Sequence, residues 1–299
     1  MEKVSIFMHT KDRFTGEKIL KTPLKLIGAK TKVRDKLYQY FPRHDVYLEP
    51  FLGSGSVLIG KPKVETEVVG DLNAHAINFF QMMQEHPESL YDEIQLQLQD
   101  FSWEPDKEVD KKIFLSIRDT LIPQPLLGDR IKQAASFYVV TKACFNGIYR
   151  TDEKGKCNSS FCGTTKGRGW ITPEWYDAVF KRIEGVKFAE MDATDFILNY
   201  ARSYLNPGRE VFMFCDPPYR LCQTTYNGLA FSDFDHFCLA NNLKVFGEKE
   251  MKFMVTLNDD EYVRELYKDY TILAHSVVYS CSQTPNGRGA KSELIIMNY

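Results

Sequence analysis

The sequence predicts an α/β fold in which both ends of the chain contribute to one strand-containing domain and the middle forms a mainly helical insert. Three features support this prediction. An alternating segment at 45–49 runs into a glycine turn, as a strand followed by a functional loop does. The run Val211–Cys215 is apolar throughout, which is typical of a strand buried on both faces. Between these strands, from 77 to 139, apolar residues recur at helical spacing.

The composition limits the size and the surroundings of the protein. A chain of 299 residues exceeds the usual single-domain length and predicts one large or two unequal domains. Its seven cysteines are odd in number and form no C-x-x-C pair, so we expect no disulfide framework, no metal site and a reducing, cytoplasmic compartment. No apolar run reaches the ~18 residues of a membrane span, and residues 1–15 lack the pattern of a signal peptide. The net charge of −2 neither favours nor excludes a polyanionic partner.

The predicted elements can be given in chain order. Strands are predicted at 45–49, 64–70, 211–215, 253–257, 271–280 and 293–297. Helical periodicity fills the middle of the chain and is interrupted at Pro87, and the sequence Thr-Pro-Glu from Thr172 predicts a helix start. The glycine-rich, basic segment 144–170 predicts a long hairpin or ordered loop.

These elements suggest how the chain is divided. We predict a discontinuous domain of residues 1–78 and 171–299, and an inserted domain at 79–170 whose basic hairpin spans about 141–170.

The strongest chemical signal is the tetrapeptide Asp216, Pro217, Pro218, Tyr219, which follows the apolar run directly. Open α/β sheets bind their ligands at the carboxyl ends of strands. The Asp216 carboxylate and the Pro217 carbonyl can accept the two hydrogens of an aromatic amine such as adenine N6, which frees the nitrogen lone pair. Tyr219 offers a ring on which an extruded base can stack. Taken alone, the tetrapeptide is equally consistent with a turn that ends a strand; its context favours the chemical interpretation.

The second signal is the segment E-P-F-L-G-S-G-S at 49–56. Gly53 and Gly55 permit close approach of a ligand and backbone conformations barred to other residues. The segment lacks the third glycine of a dinucleotide fingerprint and the Gly-Lys-Ser/Thr of a phosphate-binding loop. Asp71 follows the next predicted strand, where its carboxylate could bond ribose hydroxyls. Together these residues predict a nucleoside cofactor without a pyrophosphate, although the glycines alone would indicate only a tight turn.

Two basic segments complete the set of signals. The segment K-L-I-G-A-K begins at Lys25 and ends at Lys30, and a solvated loop is an equal alternative for it. From 141 to 170 there are six basic and two acidic residues, a local charge of +4, with Phe145 and Tyr149 among them. Cations for phosphates and aromatic rings for insertion between bases are what a DNA reader requires. A solvated charged hairpin is the alternative.

With these motifs in this order, the chain resembles the DNA adenine methyltransferases of the Dam type over nearly its whole length. The resemblance implies a Rossmann-like, AdoMet-dependent methyltransferase sheet of seven strands with an inserted, mainly helical target-recognition domain. It implies S-adenosylmethionine as cofactor and N6 methylation of an adenine flipped out of the duplex. We expect double-stranded DNA as the partner, a monomer in solution and no membrane partner. A cognate restriction nuclease is left open.

The resemblance also assigns roles to individual residues. The catalytic residues would be Asp216, Pro217, Pro218 and Tyr219. The cofactor would be contacted by Lys30, Glu49, Phe51, Gly53, Gly55, Asp71, Asp192 and Asp216. DNA would be contacted by Lys25, Lys142, Phe145, Asn146, Ile148 and Arg150. Among these, Asp71 would hold the ribose, Asp192 would lie near the adenine of the cofactor, and Phe145 would enter the base stack. Lys25 and Arg150 would read guanines, and Lys142 would contact a phosphate.

The chain departs from the family pattern at three positions. Leu26 and Ala29 stand where the family usually has a tryptophan and a second glycine, and Ser160 stands where GATC readers have a proline. The recognition sequence therefore stays open. Two rival functions remain at this point: cytosine N4 methylation, which uses the same amine chemistry, and a non-catalytic DNA-binding module, which the changes at Leu26 and Ala29 would suit.

Overall fold

The computed structural model describes residues 20–102, 107–165, 169–220, 231–279 and 289–299. The strands are, in chain order, β1 (Val46–Glu49), β2 (Thr66–Asp71), β3 (Lys187–Glu190), β4 (Val211–Cys215), β5 (Lys252–Asn258), β6 (Thr271–Tyr279) and β7 (Gly289–Met297). The α-helices are α1 (Arg34–Leu37), α2 (Ser56–Gly60), α3 (Ala74–Glu85), α4 (Pro87–Leu98), α5 (Lys107–Asp119), α6 (Arg130–Ala143), α7 (Pro173–Ile183), α8 (Ala193–Phe196), α9 (Arg202–Tyr204), α10 (Asp233–Gly247) and α11 (Glu261–Leu266). Short 3₁₀ turns lie at Lys30–Lys32, Tyr38–Tyr40, Pro125–Leu127 and Phe145–Gly147, and a π-helical turn lies at Ile197–Ala201.

The strands form one seven-stranded sheet in the order β3-β2-β1-β4-β5-β7-β6. β3, β2, β1, β4 and β5 are parallel, and β7 lies antiparallel between β5 and β6. Val46 of β1 lies opposite Thr66 of β2 on one side and Val211 of β4 on the other. The strand order reverses between β1 and β4, and such a reversal opens a crevice at the carboxyl ends of the two strands. The fold therefore places the ends of β1 and β4 at the natural ligand site.

Alternate side chains of each strand fill two cores, one on each face of the sheet. On one face Tyr47 and Phe212 pack with α2, α3 and α7, and α4 and α6 continue the same core outward. On the other face Leu48 and Met213 pack with α8, α10 and α11. Every residue of β4 is buried, as the apolar run predicted. The sheet is thus the middle of three layers, and its position is fixed by burial on both sides.

The sequence signals at helix starts are used as expected. Thr172 caps α7 by accepting a hydrogen bond from the Trp175 amide, and Pro173 occupies the first turn. Pro87 begins α4 and so separates it from α3. The predicted segment 144–170 is a hairpin where it is described, with antiparallel bridges between Cys144 and Phe161 and between Thr151 and Cys157.

The seven-stranded α/β architecture predicted above is confirmed, with shifts at the ends of strands. The strand predicted at 64–70 is Thr66–Asp71, and that predicted at 271–280 is Thr271–Tyr279, with Ser280 outside the described residues. β3 is absent from the strands predicted from sequence. It is a short edge strand whose ends, Lys187 and Glu190, are exposed, so no apolar alternation marks it. The proposed domain boundary at 78/79 falls inside α3, and the division into two domains stays a prediction.

The predictions about a signal peptide and about the cysteines fall partly on residues that the structure does not describe. Residues 1–15 lie outside the described residues, as do Cys222 and Cys281. The five cysteines that are described are free thiols. No helix in the described part of the chain is long and apolar enough to cross a membrane.

Candidate active site

The predicted catalytic carboxylate lies at the carboxyl end of β4, next to the strand-order reversal. Asp216 follows the buried strand directly and is held from two sides. The Thr256 hydroxyl on β5 donates to its Oδ1 at 2.7 Å, and the ammonium of Lys30 lies 2.7 Å from its Oδ2. The Lys30 side chain is buried, whereas the Asp216 side chain is 17% exposed and keeps some access to solvent. Each carboxylate oxygen keeps a second lone pair, so Asp216 can still accept a hydrogen from a substrate amine.

Tyr219, the last residue of the tetrapeptide, is held by a hydrogen bond from the hydroxyl of its side chain. Its hydroxyl donates to Glu293 Oε1 at 2.6 Å, and the Lys30 ammonium lies 5.0 Å from its ring centroid. Burial raises the pKa of the Glu293 carboxyl, and Asp216 raises it further, while the charge of Lys30 and the Tyr219 hydroxyl act against this. Lys30 thus contacts both the acid and the ring of the tetrapeptide.

The glycine loop after β1 is fixed to the end of β2. Gly53 and Gly55 adopt positive φ values of +52° and +70°, which only glycine adopts without strain. The Gly53 amide donates to Asp71 Oδ2 at 2.6 Å, and the Asn73 amide donates to Oδ1 at 2.8 Å. Burial raises the pKa of the Asp71 carboxyl, and the backbone donors oppose that shift. Asp71 therefore shapes the loop, and a ribose contact would have to use its remaining lone pairs.

The other predicted cofactor residues lie along the same edge of the sheet with different exposures. Glu49, the last residue of β1, is 1% exposed and accepts a hydrogen bond from the Tyr47 hydroxyl at 2.9 Å. Burial raises the pKa of this carboxyl well above its usual range. The Phe51 ring meets the edge of the Phe231 ring, with centroids 5.8 Å apart. Asp192, beyond β3, is exposed and caps α8. The ends of the neighbouring strands β3, β2, β1 and β4 thus each contribute predicted residues along one edge of the sheet.

The predicted DNA-contacting residues of the hairpin differ in accessibility. Phe145 is 54% exposed, and Asn146 and Arg150 are exposed beside it. Asn146 adopts φ +55° and ψ +16°, a left-handed conformation that asparagine tolerates. Ile148 is half-buried. The start of the hairpin therefore presents an apolar ring next to polar and basic side chains.

Lysines on two segments approach the base of the hairpin. A Cβ at Gly147 would lie 3.0 Å from Lys25 Cγ, so Lys25 packs against the hairpin start. Lys142 is only 7% exposed and donates to the Gly169 carbonyl at 3.2 Å. Burial lowers the pKa of Lys142 to about 8, with the charges of Lys25 and Lys21 acting in the same direction.

Two basic residues that the hairpin prediction counted, Lys166 and Arg168, lie outside the described residues.

Two site residues were not predicted from their own sequence context. Thr256 lies on β5, and its bond to Asp216 was not foreseen. Glu293 carried a usable signal, because it shares a strand face with the buried Ile295 and Met297.

Comparison with known proteins identifies the family of the chain. A family model of the D12 class N6 adenine-specific DNA methyltransferases matches residues 26–281. The chain is 25% identical over 293 residues to the type II methyltransferase M.MjaIII of Methanocaldococcus jannaschii, with 92% of this chain and 98% of the relative covered. It is 24% identical over 282 residues to a DNA adenine methylase of Vibrio cholerae, with 92% of this chain and 94% of the relative covered. A DNA N-6-adenine-methyltransferase of Escherichia phage P1 is 26% identical over 250 residues, covering 82% of this chain and 31% of the relative. Since the family model spans most of the sequence, the chain belongs to the D12 class of N6 adenine-specific DNA methyltransferases.

Proposed function

We propose that the chain methylates N6 of an adenine extruded from double-stranded DNA at a specific site, with S-adenosylmethionine as donor and Asp216 as the group that activates the amine. The observation that carries the proposal is the position of Asp216. Its carboxylate ends a buried strand at the strand-order reversal and is held by Thr256 at 2.7 Å and Lys30 at 2.7 Å. A carboxylate used only to end a turn needs no such pair of buried partners.

The residues around the glycine loop suit a nucleoside cofactor. A Cβ added at Gly53 would meet nothing within 4 Å, so the loop has an open side that a ligand can approach. Asp71 holds the loop through the Gly53 amide, and the partly buried Phe51 ring lies beside it. The chemistry that S-adenosylmethionine supplies when bound is an electrophilic methyl group on a sulfonium. Leu26 packs against the core, so the loss of the family tryptophan leaves an apolar side chain at that position.

The residues of the chain act on the amine in a defined order. The Asp216 carboxylate and the Pro217 carbonyl accept the two hydrogens of N6, which favours a pyramidal nitrogen with a free lone pair. Thr256 and Lys30 keep the carboxylate from turning away. As positive charge develops on nitrogen, Asp216 stabilises it and accepts the proton. The Tyr219 ring holds the extruded base by stacking, and the hairpin with Phe145 stabilises the DNA from which it came.

The rival functions are less well supported. Cytosine N4 methylation uses the same amine geometry, but the matching family is adenine-specific. A non-catalytic module would have no use for a carboxylate fixed by two partners. As partners we propose double-stranded DNA and, because the M. jannaschii relative is named a type II methyltransferase, a cognate restriction nuclease, with the chain acting as a monomer. Light scattering of the chain alone and with a duplex tests the monomer.

The test is methyl transfer by Asp216→Asn and Asp216→Ala. Asparagine keeps the size of the side chain and one oxygen for Thr256, so the variant is expected to fold and to bind DNA, yet methylation should fall by about 10²-fold or more. Mass analysis of digested nucleosides measures both the amount and the base that is modified. Asp177→Asn, at an exposed carboxylate of α7, is the matched control and should keep full activity. Near-normal activity of Asp216→Asn and Asp216→Ala, or N4-methylcytosine as the product, would refute the proposal.

A further inference from the structure

We propose that Glu293, a buried residue of β7, is a positioning residue that sets the orientation of Tyr219 and through it the stacking of the extruded base. The inference rests on the proposed function, because only that function assigns an extruded base to the Tyr219 ring. It concerns a strand that the sequence motifs leave out: Glu293 follows Tyr219 by 74 positions, and β7 runs antiparallel to β5. The hydrogen bond from the Tyr219 hydroxyl to Glu293 Oε1, 2.6 Å long, is the contact on which it depends.

The strand register explains why this carboxylate faces the site. Glu293 lies opposite Asn258 of β5 and opposite His275 of β6. Two positions further along β7, Ile295 lies opposite Thr256, the residue that holds Asp216. Side chains of directly paired residues point to the same face of a sheet, so Thr256 and Glu293 share one face. One side of the sheet thus carries the partner of the acid and the partner of the ring.

The surroundings of Glu293 favour a specific role for its carboxylate. The residue is 2% exposed, and an acidic group in such a place is retained only where hydrogen bonds and charges compensate its burial. The groups that face it include the Tyr219 hydroxyl, His275 Nε2 at 3.7 Å from Oε2, and the charges of Lys30 and Asp216. Burial lowers the pKa of His275, which favours the neutral ring. Of these two distances, 2.6 Å to the Tyr219 hydroxyl and 3.7 Å to His275, the one to Tyr219 is that of a hydrogen bond.

The consequence is a tetrapeptide fixed at both ends by the sheet. Thr256 on β5 sets the direction of the Asp216 carboxylate, and Glu293 on β7 sets the tilt of the Tyr219 ring. The distance between the amine acceptor and the stacking surface then depends on the pairing of β5 with β7. Misplacing a bound group by about 1 Å can cost about 10²-fold in rate, so loss of the Glu293 contact should be visible in turnover.

The experiment is a double-mutant cycle with Tyr219→Phe, Glu293→Ala and the combined variant. Tyr219→Phe removes the hydroxyl and keeps the ring, and Glu293→Ala removes the acceptor. Each single variant is expected to lower kcat by about tenfold to a hundredfold, with KM for duplex DNA changed less than about threefold. In the Tyr219→Phe background, Glu293→Ala should lower kcat by less than about twofold further, because the contact is already lost. Glu293→Gln keeps an acceptor oxygen and should recover most of the activity.

Controls separate positioning from loss of structure. Glu67→Gln changes another buried carboxylate, one bound to Lys61 and Arg182 near the other end of β2, and should lower thermal stability while leaving kcat unchanged. If kcat losses of Tyr219→Phe and Glu293→Ala multiply in the double variant, or if Glu293→Ala methylates at the wild-type rate, the inference is wrong. A wild-type chain that produces no N6-methyladenine would instead refute the proposed function, so the two failures are distinguishable.

Discussion

Alanine at each of the two loop glycines should separate the folding of the glycine loop from its use as a binding surface. Gly53 and Gly55 both have positive φ, +52° and +70°, so alanine at either position costs about 1–2 kcal/mol of unfolding free energy. Their surroundings differ. A Cβ at Gly55 would lie 2.8 Å from Phe80 Cζ and 3.5 Å from Ile59 Cδ1, whereas a Cβ at Gly53 meets nothing within 4 Å.

These distances give opposite rankings for stability and for binding. The overlap with Phe80 adds an overpacking cost of about 1–3 kcal/mol, so Gly55→Ala should lose about 2–5 kcal/mol in total. Gly53→Ala should lose only the backbone cost. Its methyl group, however, projects into the open side of the loop, and we expect the affinity for S-adenosylmethionine to fall about tenfold or more, equivalent to about 1.4 kcal/mol.

Urea unfolding measures the stability change, and calorimetric titration with S-adenosylmethionine, at a temperature where all variants are folded, measures the affinity. Gly208→Ala is the matched control. Gly208 has φ +88° and also meets nothing within 4 Å, but it lies before β4, at the end of the sheet opposite the site. It should show the backbone cost alone. If Gly53→Ala binds S-adenosylmethionine as tightly as Gly208→Ala, the open side of the loop does not face the cofactor and the reasoning fails.

Two further predictions concern buried charges. Because burial lowers the pKa of Lys142 to about 8, affinity for duplex DNA should fall between about pH 7 and about pH 9 as the ammonium loses its proton, and Lys142→Met should abolish that dependence in anisotropy titrations. The same shift makes stability rise with pH between about 8 and 10.5, since over that range the unfolded chain binds more protons; a flat profile would contradict it. Arg182 donates to both Glu67 oxygens, at 2.7 and 2.9 Å, so Arg182→Met leaves this buried carboxylate with Lys61 as its charged partner and should cost about 1–3 kcal/mol in urea unfolding. A loss below about 1 kcal/mol would show that the pair relaxes.

The parts of the fold that sequence could predict are those with a local cause. The apolar run of β4 and the cap at Thr172 each depend on neighbouring residues, and both were found where expected. β3 was missed because an exposed edge strand has no apolar pattern of its own. Its place beside β2 is decided by the register between Val68 and Lys187, which is a property of the assembled sheet.

The site shows the same division between local and long-range causes. The tetrapeptide from Asp216 and the glycine loop were visible because their chemistry lies within a few neighbouring positions. Their partners were not visible, since Thr256 and Glu293 reach the tetrapeptide from strands that are distant in sequence. Asp71 is an intermediate case. Its position at a strand end was predicted, but its bond to the Gly53 amide shows a structural task that spacing alone does not reveal.

The segment from Lys25 to Lys30 contacts both the hairpin proposed to bind DNA and the tetrapeptide proposed to activate the base. Lys25 packs against Gly147 at the start of the hairpin, where a Cβ would lie 3.0 Å from its Cγ. Lys30 lies 2.7 Å from Asp216 and near the Tyr219 ring. Both contacts are made by one six-residue segment of backbone. The position of the hairpin relative to the Asp216 carboxylate is therefore constrained by this segment. Lys25 is proposed to read a guanine, and Asp216 is proposed to activate the adenine. The segment between Lys25 and Lys30 thus holds these two side chains near each other in the protein without DNA.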